Sequence, residues 1–298
     1  MNKFNVGFYL VGKKGYLVLD HFIAKYGSAN VAFVVASRDR GQLNDCFEVI
    51  KGLCQSKNIV FINKPEINDS ILPKVKYRFC IGWRWMIPDT NNLIVMHDSP
   101  LPKYRGFAPL VNMLINGEKK LAVTALYASS EYDKGEILSS RSVGIVYPLK
   151  IQDAIEIIIP LYIECIDEVY DKFLGESLIG IKQEEKEATY SVWRDEYDYR
   201  INWSDSAEDI VRFCNAVGYP YMGANTTLDG EMINIMSVCE YPNVQVESRM
   251  KHVGKIIFFN HDNPVVICGD GLVELLAIKK DGKEISGRSI SFRTRFGN

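Results

Sequence analysis

Residues 93–110 read LIVMHDSPLPKYRGFAPL, and the fold is organised around this segment. Its first four residues are apolar and typical of a buried strand, which delivers His97 into a loop with two prolines. Proline fixes φ and biases the preceding residue towards an extended backbone, so we expect Ser99–Pro102 to form a stiff, exposed loop beside the histidine. A side chain with a near-neutral pKa at the end of a buried strand is common in catalytic sites of α/β proteins.

Similar apolar runs flank this segment along the first half of the chain. They are apolar at successive positions without strict alternation, which is typical of parallel strands covered by helices on both faces. We therefore predict an α/β fold with a Rossmann-like, mostly parallel sheet. Its predicted strands are 4–10, 31–36, 59–62, 77–81, 93–96, 121–127 and 137–143, the last two antiparallel, and its predicted helices are 16–26, 41–53, 107–115 and 151–173.

The composition changes after residue 173. A charged linker at 182–188 leads into an aromatic segment at 190–203, and Ser206 to Asp209 resembles a capping box that opens a helix ending near Val217. From there the pattern indicates short strands separated by glycine turns, typical of a small barrel. We predict a catalytic domain at 1–185, followed by a linker and a small, OB-like C-terminal β-barrel domain at 186–298. The predicted C-terminal strands are 232–238, 255–259, 265–268 and 272–279.

The net charge and the cysteine pattern limit the functions that the chain can have. The net charge is −2 and the pI is about 6.1, which argues against a broad basic surface for nucleic acid. The seven cysteines are odd in number and never spaced as Cys-x-x-Cys, so neither a disulfide framework nor a zinc site is indicated. No apolar run is long enough to span a bilayer. We expect a cytoplasmic protein with reduced cysteines and no membrane partner.

Of the four histidines, His97 is the best catalytic candidate because it combines a strand end, a rigid loop and polar neighbours. Asp133 follows a strand predicted near that of His97, and Lys134-Gly135 predicts a tight turn that holds it. A carboxylate bonded to one imidazole nitrogen fixes the tautomer and stabilises the imidazolium. Asp98 should point to the opposite side of the strand. The alternatives, a packed histidine and a turn-capping aspartate, stay open at this point.

Two further loops end predicted strands. Trp83, Arg84 and Trp85 follow the strand at 77–81, where loops border the ligand crevice of such sheets, although core packing of the tryptophans is the alternative. Gly12-Lys13-Lys14-Gly15 joins the first strand to a helix but lacks a full Gly-x-Gly-x-x-Gly pattern. A phosphate contact and a plain surface turn are therefore both open for Lys13.

Residues 97–106, HDSPLPKYRG, resemble the His-x-Ser-Leu-Leu-Pro-x-Tyr-Arg-Gly signature of formyltransferases that use 10-formyltetrahydrofolate. Downstream, residues 133–137, DKGEI, are similar to that family's Asp-x-Gly-Asp-Ile. The resemblance continues through 190–203 and through 218–224, GYPYMGA, which is similar to the family's Pro-Tyr-Pro-Gly-Ala segment. These motifs follow the family's order and cover most of the chain.

The resemblance implies acyl transfer without a metal. An amine attacks the formyl carbon of 10-formyltetrahydrofolate, while His97 assists proton transfer and Asp133 orients the histidine. The folate is expected to contact the loop after residue 81, the proline loop and the loop before Asp133. The residues implied at the folate site are Trp83, Arg84, Trp85, Ser99, Pro100, Leu101, Pro102, Ser129, Ser130, Glu131 and Tyr132.

Within the family the acceptor is methionyl-tRNA, a glycinamide ribonucleotide or a nucleotide-linked amino sugar. The acidic pI and the absence of a lysine-rich loop after the helix near Phe107 weigh against tRNA, and the C-terminal domain weighs against the ribonucleotide. We expect an amino-sugar nucleotide, as in the biosynthesis of bacterial surface polysaccharides. Methionyl-tRNA formyltransferase and a homodimer stay open. The expected substrate contacts are Lys13, Lys14, Arg194 and Arg200, with Arg105 either a substrate contact or a support for the loop.

One position departs from the family pattern. Val95 stands two residues before His97, where the family usually has an asparagine that hydrogen-bonds the formyl oxygen. Valine has no donor, and losing one such donor typically costs about two to three orders of magnitude in rate. Either another group replaces it, with protonated His97 as one candidate, or the chain is a non-catalytic folate- or nucleotide-binding homologue.

Overall fold

The computed structural model describes residues 5–297, apart from residues 40, 42, 44 and 67–71. Two compact units divide the chain. The first unit consists of Met1–Leu110, Lys119–Gly144 and Ala154–Trp193, and the second of Val111–Glu118, Ile145–Asp153 and Arg194–Asn298.

A seven-stranded sheet forms the centre of the first unit. Its order is β3-β2-β1-β4-β5-β7-β8, with the first five strands parallel and the last two antiparallel to their neighbours. A separate parallel pair joins β6 to β9. The bounds are β1 Val6–Leu10, β2 Val31–Ala36, β3 Val60–Asn63, β4 Tyr77–Ile81, β5 Leu93–His97, β6 Arg105–Gly106, β7 Lys120–Tyr127, β8 Ile137–Gly144 and β9 Tyr190–Ser191.

Among the described residues, five α-helices accompany the strands, and three of them begin elsewhere than predicted. The third begins two residues after its predicted start at 107. The second starts six residues after its predicted start at 41, because the Asp45 carboxylate accepts the N–H groups of Asp39 and Phe47 and holds a turn there. The first begins four residues before its predicted start at 16. The bounds are α1 Gly12–Tyr26, α2 Phe47–Ser56, α3 Pro109–Ile115, α4 Ile151–Leu174 and α5 Ala207–Val217.

Both faces of the central sheet are buried. On one face Phe8 stacks on Phe79 at 5.5 Å and meets Phe22 of α1 edge-on at 5.1 Å. On the other, Tyr9 and Phe33 belong to a second apolar cluster. This double coverage explains why the strand sequences do not alternate. Among the described residues, no helix is long and apolar enough to cross a bilayer.

The sheet order places the site. Strands β2 and β3 lie on one side of β1, and β4 and β5 on the other, so the direction of winding reverses beside β1. In open α/β sheets, ligands bind outside the carboxyl ends of the strands at such a reversal. His97 is the last residue of β5, and Trp83 lies two residues beyond β4. The predicted Rossmann-like class is confirmed.

A six-stranded antiparallel sheet dominates the second unit, in the order β10-β11-β14-β13-β12 with β15 on β14. Isolated bridges from Thr227 to Gly297 and from Lys255 to Arg295 connect the C-terminal segment to both sides of this sheet, which gives the barrel-like closure. The Ser206 hydroxyl accepts the Asp209 N–H and caps α5, as predicted. The bounds are β10 Ala224–Leu228, β11 Glu231–Tyr241, β12 Ile256–Asn260, β13 Asn263–Ile267, β14 Leu272–Lys280 and β15 Lys283–Ile285.

Candidate active site

His97 is buried at the end of β5, with an oxygen acceptor facing each ring nitrogen. Its Nε2 lies 2.7 Å from the carbonyl oxygen of Tyr104, which can only accept, so Nε2 donates. Its Nδ1 lies 3.5 Å from Oδ2 of Asp133. In the neutral ring a proton on Nε2 leaves Nδ1 with a free lone pair. The imidazole is therefore poised to take a proton at Nδ1, beside a carboxylate.

Asp133 is fixed by its backbone as well as by the histidine. Its φ of 52° lies in the left-handed region, which aspartate tolerates better than most residues. The N–H of Gly106 donates to Oδ2 at 2.8 Å, so one oxygen faces both Gly106 and His97. The turn that follows requires glycine, because a Cβ at Gly135 would lie 1.7 Å from the Tyr127 carbonyl oxygen.

Gln183 is a residue that sequence reasoning missed. Its side-chain amide donates to the carbonyl oxygens of Asp133 at 2.7 Å and Gly135 at 2.8 Å, so it clamps the turn that carries the carboxylate. The Gln183 amide oxygen in turn accepts two hydrogen bonds from the Arg105 guanidinium, at 2.8 and 3.1 Å. No local pattern indicates this role, because the contacts span 48 to 78 residues of sequence.

Arg105 is fully buried, and its guanidinium is committed within the first unit. Besides Gln183 it pairs with Glu185 through two hydrogen bonds of 2.9 and 3.0 Å and reaches the Tyr190 hydroxyl at 3.3 Å. Burial alone would lower the pKa of Arg105, but the bonds to Glu185 and Tyr190 outweigh it and raise the pKa. The sequence allowed two roles for Arg105, a substrate contact or a support for the loop. These buried hydrogen bonds match the support of the loop.

Asp98 lies on the far side of β5 from His97, as predicted. Its carboxylate pairs with the Lys14 ammonium and accepts the Tyr162 hydroxyl, so Lys14 is occupied in a part-buried network. Lys13 is exposed and pairs with Glu156 of α4. Neither lysine is brought to His97 by these contacts.

The loop after His97 is braced internally, and the expectation of an exposed loop is wrong for two of its residues. Ser99 is fully buried and Leu101 nearly so. The Ser99 hydroxyl donates to the Lys103 carbonyl at 2.7 Å, and the Thr124 hydroxyl donates to the Ser99 carbonyl at 2.7 Å. These bonds draw the loop inward, leaving Pro100 and Pro102 half-buried.

The loop after β4 presents two aromatic rings and an unused donor. Trp83 packs edge-on against Tyr9 at 5.2 Å and against Trp85 at 4.9 Å. Among the described residues, the buried Nε1 of Trp83 has no hydrogen-bond partner. Arg84 is held by an ion pair with the buried Asp39. A flat pteridine, which carries hydrogen-bond acceptors on its ring edge, fits this combination of aromatic faces and an N–H donor.

The loop before Asp133 is mostly exposed. The Ser129 hydroxyl donates to the Glu131 carbonyl at 2.7 Å, and Lys134 pairs with the Glu131 carboxylate at 2.5 Å. Ser130 and Tyr132 are exposed, and Tyr132 meets Phe107 edge-on at 5.6 Å. The side chains thus brace the loop or face outward.

Val95 lies on β5 on the same face as His97, since the two are separated by two strand positions. It packs against the apolar cluster that contains Tyr9 and Cys80, and its register partners are Cys80 and Leu126. The position where the family places an oxyanion donor is therefore apolar in this chain.

Arg194 and Arg200 belong to the second unit. Arg194 donates to the Asp198 carbonyl at 2.9 Å and to the Asn112 side chain at 2.7 Å, and burial lowers the pKa of its guanidinium. Arg200 lies over the Tyr197 ring at 4.8 Å. Among the described residues, no carboxylate pairs with either guanidinium, and the buried Nε of each has no partner.

Models of known protein families match the segments that contain these residues. The family model for "Formyl transferase" matches residues 82–155, a range that contains Trp83, His97 and Asp133. The model for "Formyl transferase, C-terminal domain" matches residues 195–292.

Curated relatives include several methionyl-tRNA formyltransferases. That of Caldanaerobacter subterraneus is 30% identical over 225 residues, 74% of this chain and 70% of that enzyme. That of Geobacter metallireducens is 26% identical over 219 residues, 74% of this chain and 68% of that enzyme. That of Streptococcus agalactiae is 28% identical over 190 residues, 64% of this chain and 59% of that enzyme. The chain thus spans about three fifths to seven tenths of the length of these relatives.

Among solved structures, the sugar 3N-formyl transferase WlaRD, crystallised with dTDP and 5-N-formyl-THF, has a TM-score of 0.69 at 14% identity, covering 95% of this chain and 100% of that chain. An N-formyltransferase of Helicobacter canadensis gives 0.68 at 14%, covering 92% and 99%. The methionyl-tRNA formyltransferase of Clostridium thermocellum gives 0.54 at 17%, covering 80% and 93%. At such identities the likeness shows the fold alone.

The assignment of the chain to a family rests on its sequence similarity to known proteins. The 30% identical relative is covered over more than two thirds of its length, and the N- and C-terminal family models match in order. The chain belongs to the formyl transferase family, enzymes that transfer a formyl group and take it from a formyl-tetrahydrofolate.

Proposed function

We propose that this enzyme moves the formyl group of 10-formyltetrahydrofolate to the amine of a nucleotide-linked amino sugar. The observation that carries the proposal is the pairing of His97 Nδ1 with Asp133 at the carboxyl end of β5. With Nε2 anchored on the Tyr104 carbonyl, the ring cannot turn away, and its free nitrogen faces the carboxylate. Asp133 therefore faces the nitrogen that would take up a proton, and it would accept a hydrogen bond only from the protonated ring, which it would stabilise.

Bound at this edge of the sheet, 10-formyltetrahydrofolate supplies the activated formyl group. The residues suited to hold it are Trp83 and Trp85, through their rings and the Trp83 N–H, with backbone groups of Ser129–Tyr132. Pro100 and Pro102 shape the wall beside His97. As the amine nitrogen bonds to the formyl carbon, the bond from that carbon to N10 of the folate breaks. His97 Nδ1 receives the proton that the amine loses, Asp133 stabilises the charged ring, and the proton passes on to N10 of the departing tetrahydrofolate.

The charge of the chain favours a small acceptor over tRNA. A tRNA-binding protein must neutralise several phosphates, whereas this chain carries 35 basic against 37 acidic residues. This balance of charge supports an amino-sugar nucleotide, of which dTDP-3-aminofucose in the Helicobacter canadensis structure is an example.

Arg194 and Arg200 are the proposed contacts for the diphosphate of the nucleotide. Each guanidinium is half-buried and, among the described residues, forms no ion pair with a carboxylate. A bound phosphate would therefore supply the anionic partner that each positive charge lacks. Lys13 and Lys14 are weaker candidates, since both are paired with carboxylates. We further propose a cytoplasmic location and a domain boundary near residue 185.

Methionyl-tRNA formyltransferase is the second candidate, favoured by the names of the curated relatives. The test of the proposal is to incubate the enzyme with 10-formyltetrahydrofolate and dTDP-3-aminofucose, the sugar nucleotide bound in the Helicobacter structure. A dTDP-4-amino sugar is tested as a second acceptor. We expect an N-formylated sugar nucleotide with the wild type and at least about a hundredfold slower formation with His97→Asn. Absence of any formylated sugar nucleotide would overturn the proposal.

A further inference from the structure

Two aromatic rings flank the catalytic carboxylate. Phe107 directly follows Gly106, whose N–H donates to Asp133, and Tyr132 directly precedes Asp133. Their ring centroids lie 5.6 Å apart with a 60° angle between the planes. Because consecutive Cα atoms are about 3.8 Å apart, both rings originate one residue from the contact that fixes Asp133. We call Phe107 and Tyr132 the aromatic pair.

One ring of the aromatic pair is exposed and the other is half-buried. Tyr132 is 54% exposed, and Phe107 is intermediate in burial. The turn around Asp133 is held by Gln183 and by the Lys134–Glu131 ion pair. An exposed aromatic ring next in sequence to the Asp133 carboxylate is typical of a binding surface.

The reaction places the acceptor at this surface. The attacking nitrogen must come within about 3–3.5 Å of the formyl carbon, and within hydrogen-bond reach of the base that takes its proton. In an amino sugar the amine is bonded directly to a ring carbon, only about 1.5 Å away. The sugar ring therefore has to lie within a few ångströms of His97 and Asp133. Phe107 and Tyr132 are the sequence neighbours of the two residues, Gly106 and Asp133, that meet there.

We propose that Phe107 and Tyr132 form the subsite for the sugar ring that bears the amine, packing against its C–H face. The identity of the ring rests on the function proposed above. Aromatic side chains suit this role because they offer a large, rigid contact surface at low cost in conformational entropy. The thioether of a methionyl group also packs on aromatic rings and is the competing occupant.

The test uses Tyr132→Leu and Phe107→Leu, which keep apolar volume but remove the ring. Binding of dTDP-3-aminofucose is followed by saturation-transfer NMR and by its KM. We expect the Kd and KM for the sugar nucleotide to rise about five- to thirtyfold in each leucine variant, with the sugar protons losing their saturation transfer. The control Phe292→Leu, which removes an exposed ring of the second unit, should leave both values within about twofold of wild type.

Binding of the folate and thermal stability distinguish the loss of a sugar subsite from a general disturbance of the fold. The Kd for tetrahydrofolate and the thermal midpoint of unfolding should be unchanged in the leucine variants. The subsite is overturned if the wild type formylates the sugar nucleotide and both leucine variants bind it as tightly, or if only methionyl-tRNA formylation suffers. A wild type that neither binds nor formylates dTDP-3-aminofucose or a dTDP-4-amino sugar would instead show that the proposed function itself is wrong, and the subsite with it.

Discussion

At His97 the tautomer is set by the backbone rather than by Asp133. The Tyr104 carbonyl accepts a hydrogen bond from Nε2, so in the neutral ring the free lone pair lies on Nδ1, which faces the carboxylate at 3.5 Å. Tyr104 itself has a φ of 60°, and the Thr189 hydroxyl accepts its N–H at 2.9 Å. The Tyr104 backbone and the Thr189 hydroxyl therefore together fix the carbonyl group that faces His97.

Asp133→Asn tests the charge beside that nitrogen. Asparagine keeps an oxygen for the Gly106 N–H but removes the negative charge that stabilises a protonated ring. We expect kcat to fall about 10²- to 10⁴-fold with little change in the KM for either substrate. Steady-state kinetics check this against Asp20→Asn, an exposed aspartate on α1 that should behave as wild type. Full activity in Asp133→Asn would remove Asp133 from the mechanism.

Trp83→Phe tests whether the unused indole N–H belongs to the folate site. Replacing an unpartnered buried donor by an apolar ring should leave the free energy of unfolding unchanged or raise it. The Kd for tetrahydrofolate should rise about five- to tenfold, the loss of one hydrogen bond. Calorimetric titration and chemical denaturation measure the two quantities, with the exposed Trp193→Phe as control. A clear loss of stability with unchanged folate affinity would assign the N–H to the fold.

At the scale of elements, the pair β6 and β9 links the loop after His97 to the segment after α4. The close approach of the two strands requires glycine at position 106, where φ is 101° and a Cβ would lie 2.4 Å from the Ser191 carbonyl oxygen. Arg105 on β6 then holds Gln183, which clamps the Asp133 turn. The segment after residue 174 therefore supports the turn that carries Asp133.

Gln183→Ala tests this clamp. Without the two amide hydrogen bonds the turn loses its support, and a shift of the carboxylate of about 1 Å is enough to cost about a hundredfold in rate. We expect kcat to fall about 10- to 100-fold while both KM values stay within about threefold, because Gln183 touches no substrate. The neighbouring, exposed Lys182→Ala is the matched control. A rise of KM with kcat unchanged would contradict a positioning role.

The contact between β8 and α4 gives a pH-dependent prediction. Partial burial of Glu168 would raise its pKa, but hydrogen bonds from Lys172 and Ser139 outweigh this and lower the pKa below its usual 4.5. A carboxyl with a lowered pKa stabilises the fold above pH 4.5, and this contribution disappears as the pH falls through the lowered value.

Glu168→Gln should therefore reduce the free energy of unfolding by about 0.5–1.5 kcal/mol at pH 7. The difference from wild type should shrink steadily below pH 4.5 and vanish once the wild-type carboxyl is protonated. Denaturant unfolding at several pH values measures this, with Glu164→Gln, a more exposed partner of Arg141, as the smaller control effect. A difference independent of pH would show that charge is not its cause.

Local patterns predicted the elements well where the period was clear. Strands β2 and β4 have the predicted bounds, and α4 extends one residue beyond its prediction. Strand β10 was missed because Asn225, Thr226 and Thr227 lack an apolar run, although the sheet buries them in part. The two-residue strands β6 and β9 are too short to have any period. Such elements depend on tertiary contacts that no local window contains.

The candidate site follows the same division. His97 and Asp133 were chosen from strand ends and turn chemistry, and the structure places them 3.5 Å apart. The burial of Ser99 and the role of Gln183 were not predicted, because both depend on partners distant in sequence. The sequence predicted two possible roles for Arg105, a substrate contact and a support for the loop. Only its buried hydrogen-bond partners distinguish the two roles.

At the scale of the whole molecule, the near balance of charge is the property that bears most on the acceptor. A protein that neutralises several phosphates of tRNA loses affinity steeply as salt rises. The net charge of −2 offers no general attraction for such a polyanion. A nucleotide diphosphate needs only a few local cations, and Arg194 and Arg200 are available without a carboxylate partner among the described residues.

The most direct test of this account compares two acceptors under one set of conditions. The initial rate of formyl transfer from 10-formyltetrahydrofolate is measured with dTDP-3-aminofucose and, separately, with charged initiator methionyl-tRNA, to give kcat/KM for each. We predict a kcat/KM for the sugar nucleotide at least about a hundredfold higher, equivalent to about 2.7 kcal/mol of transition-state stabilisation. A higher kcat/KM for methionyl-tRNA would contradict the account.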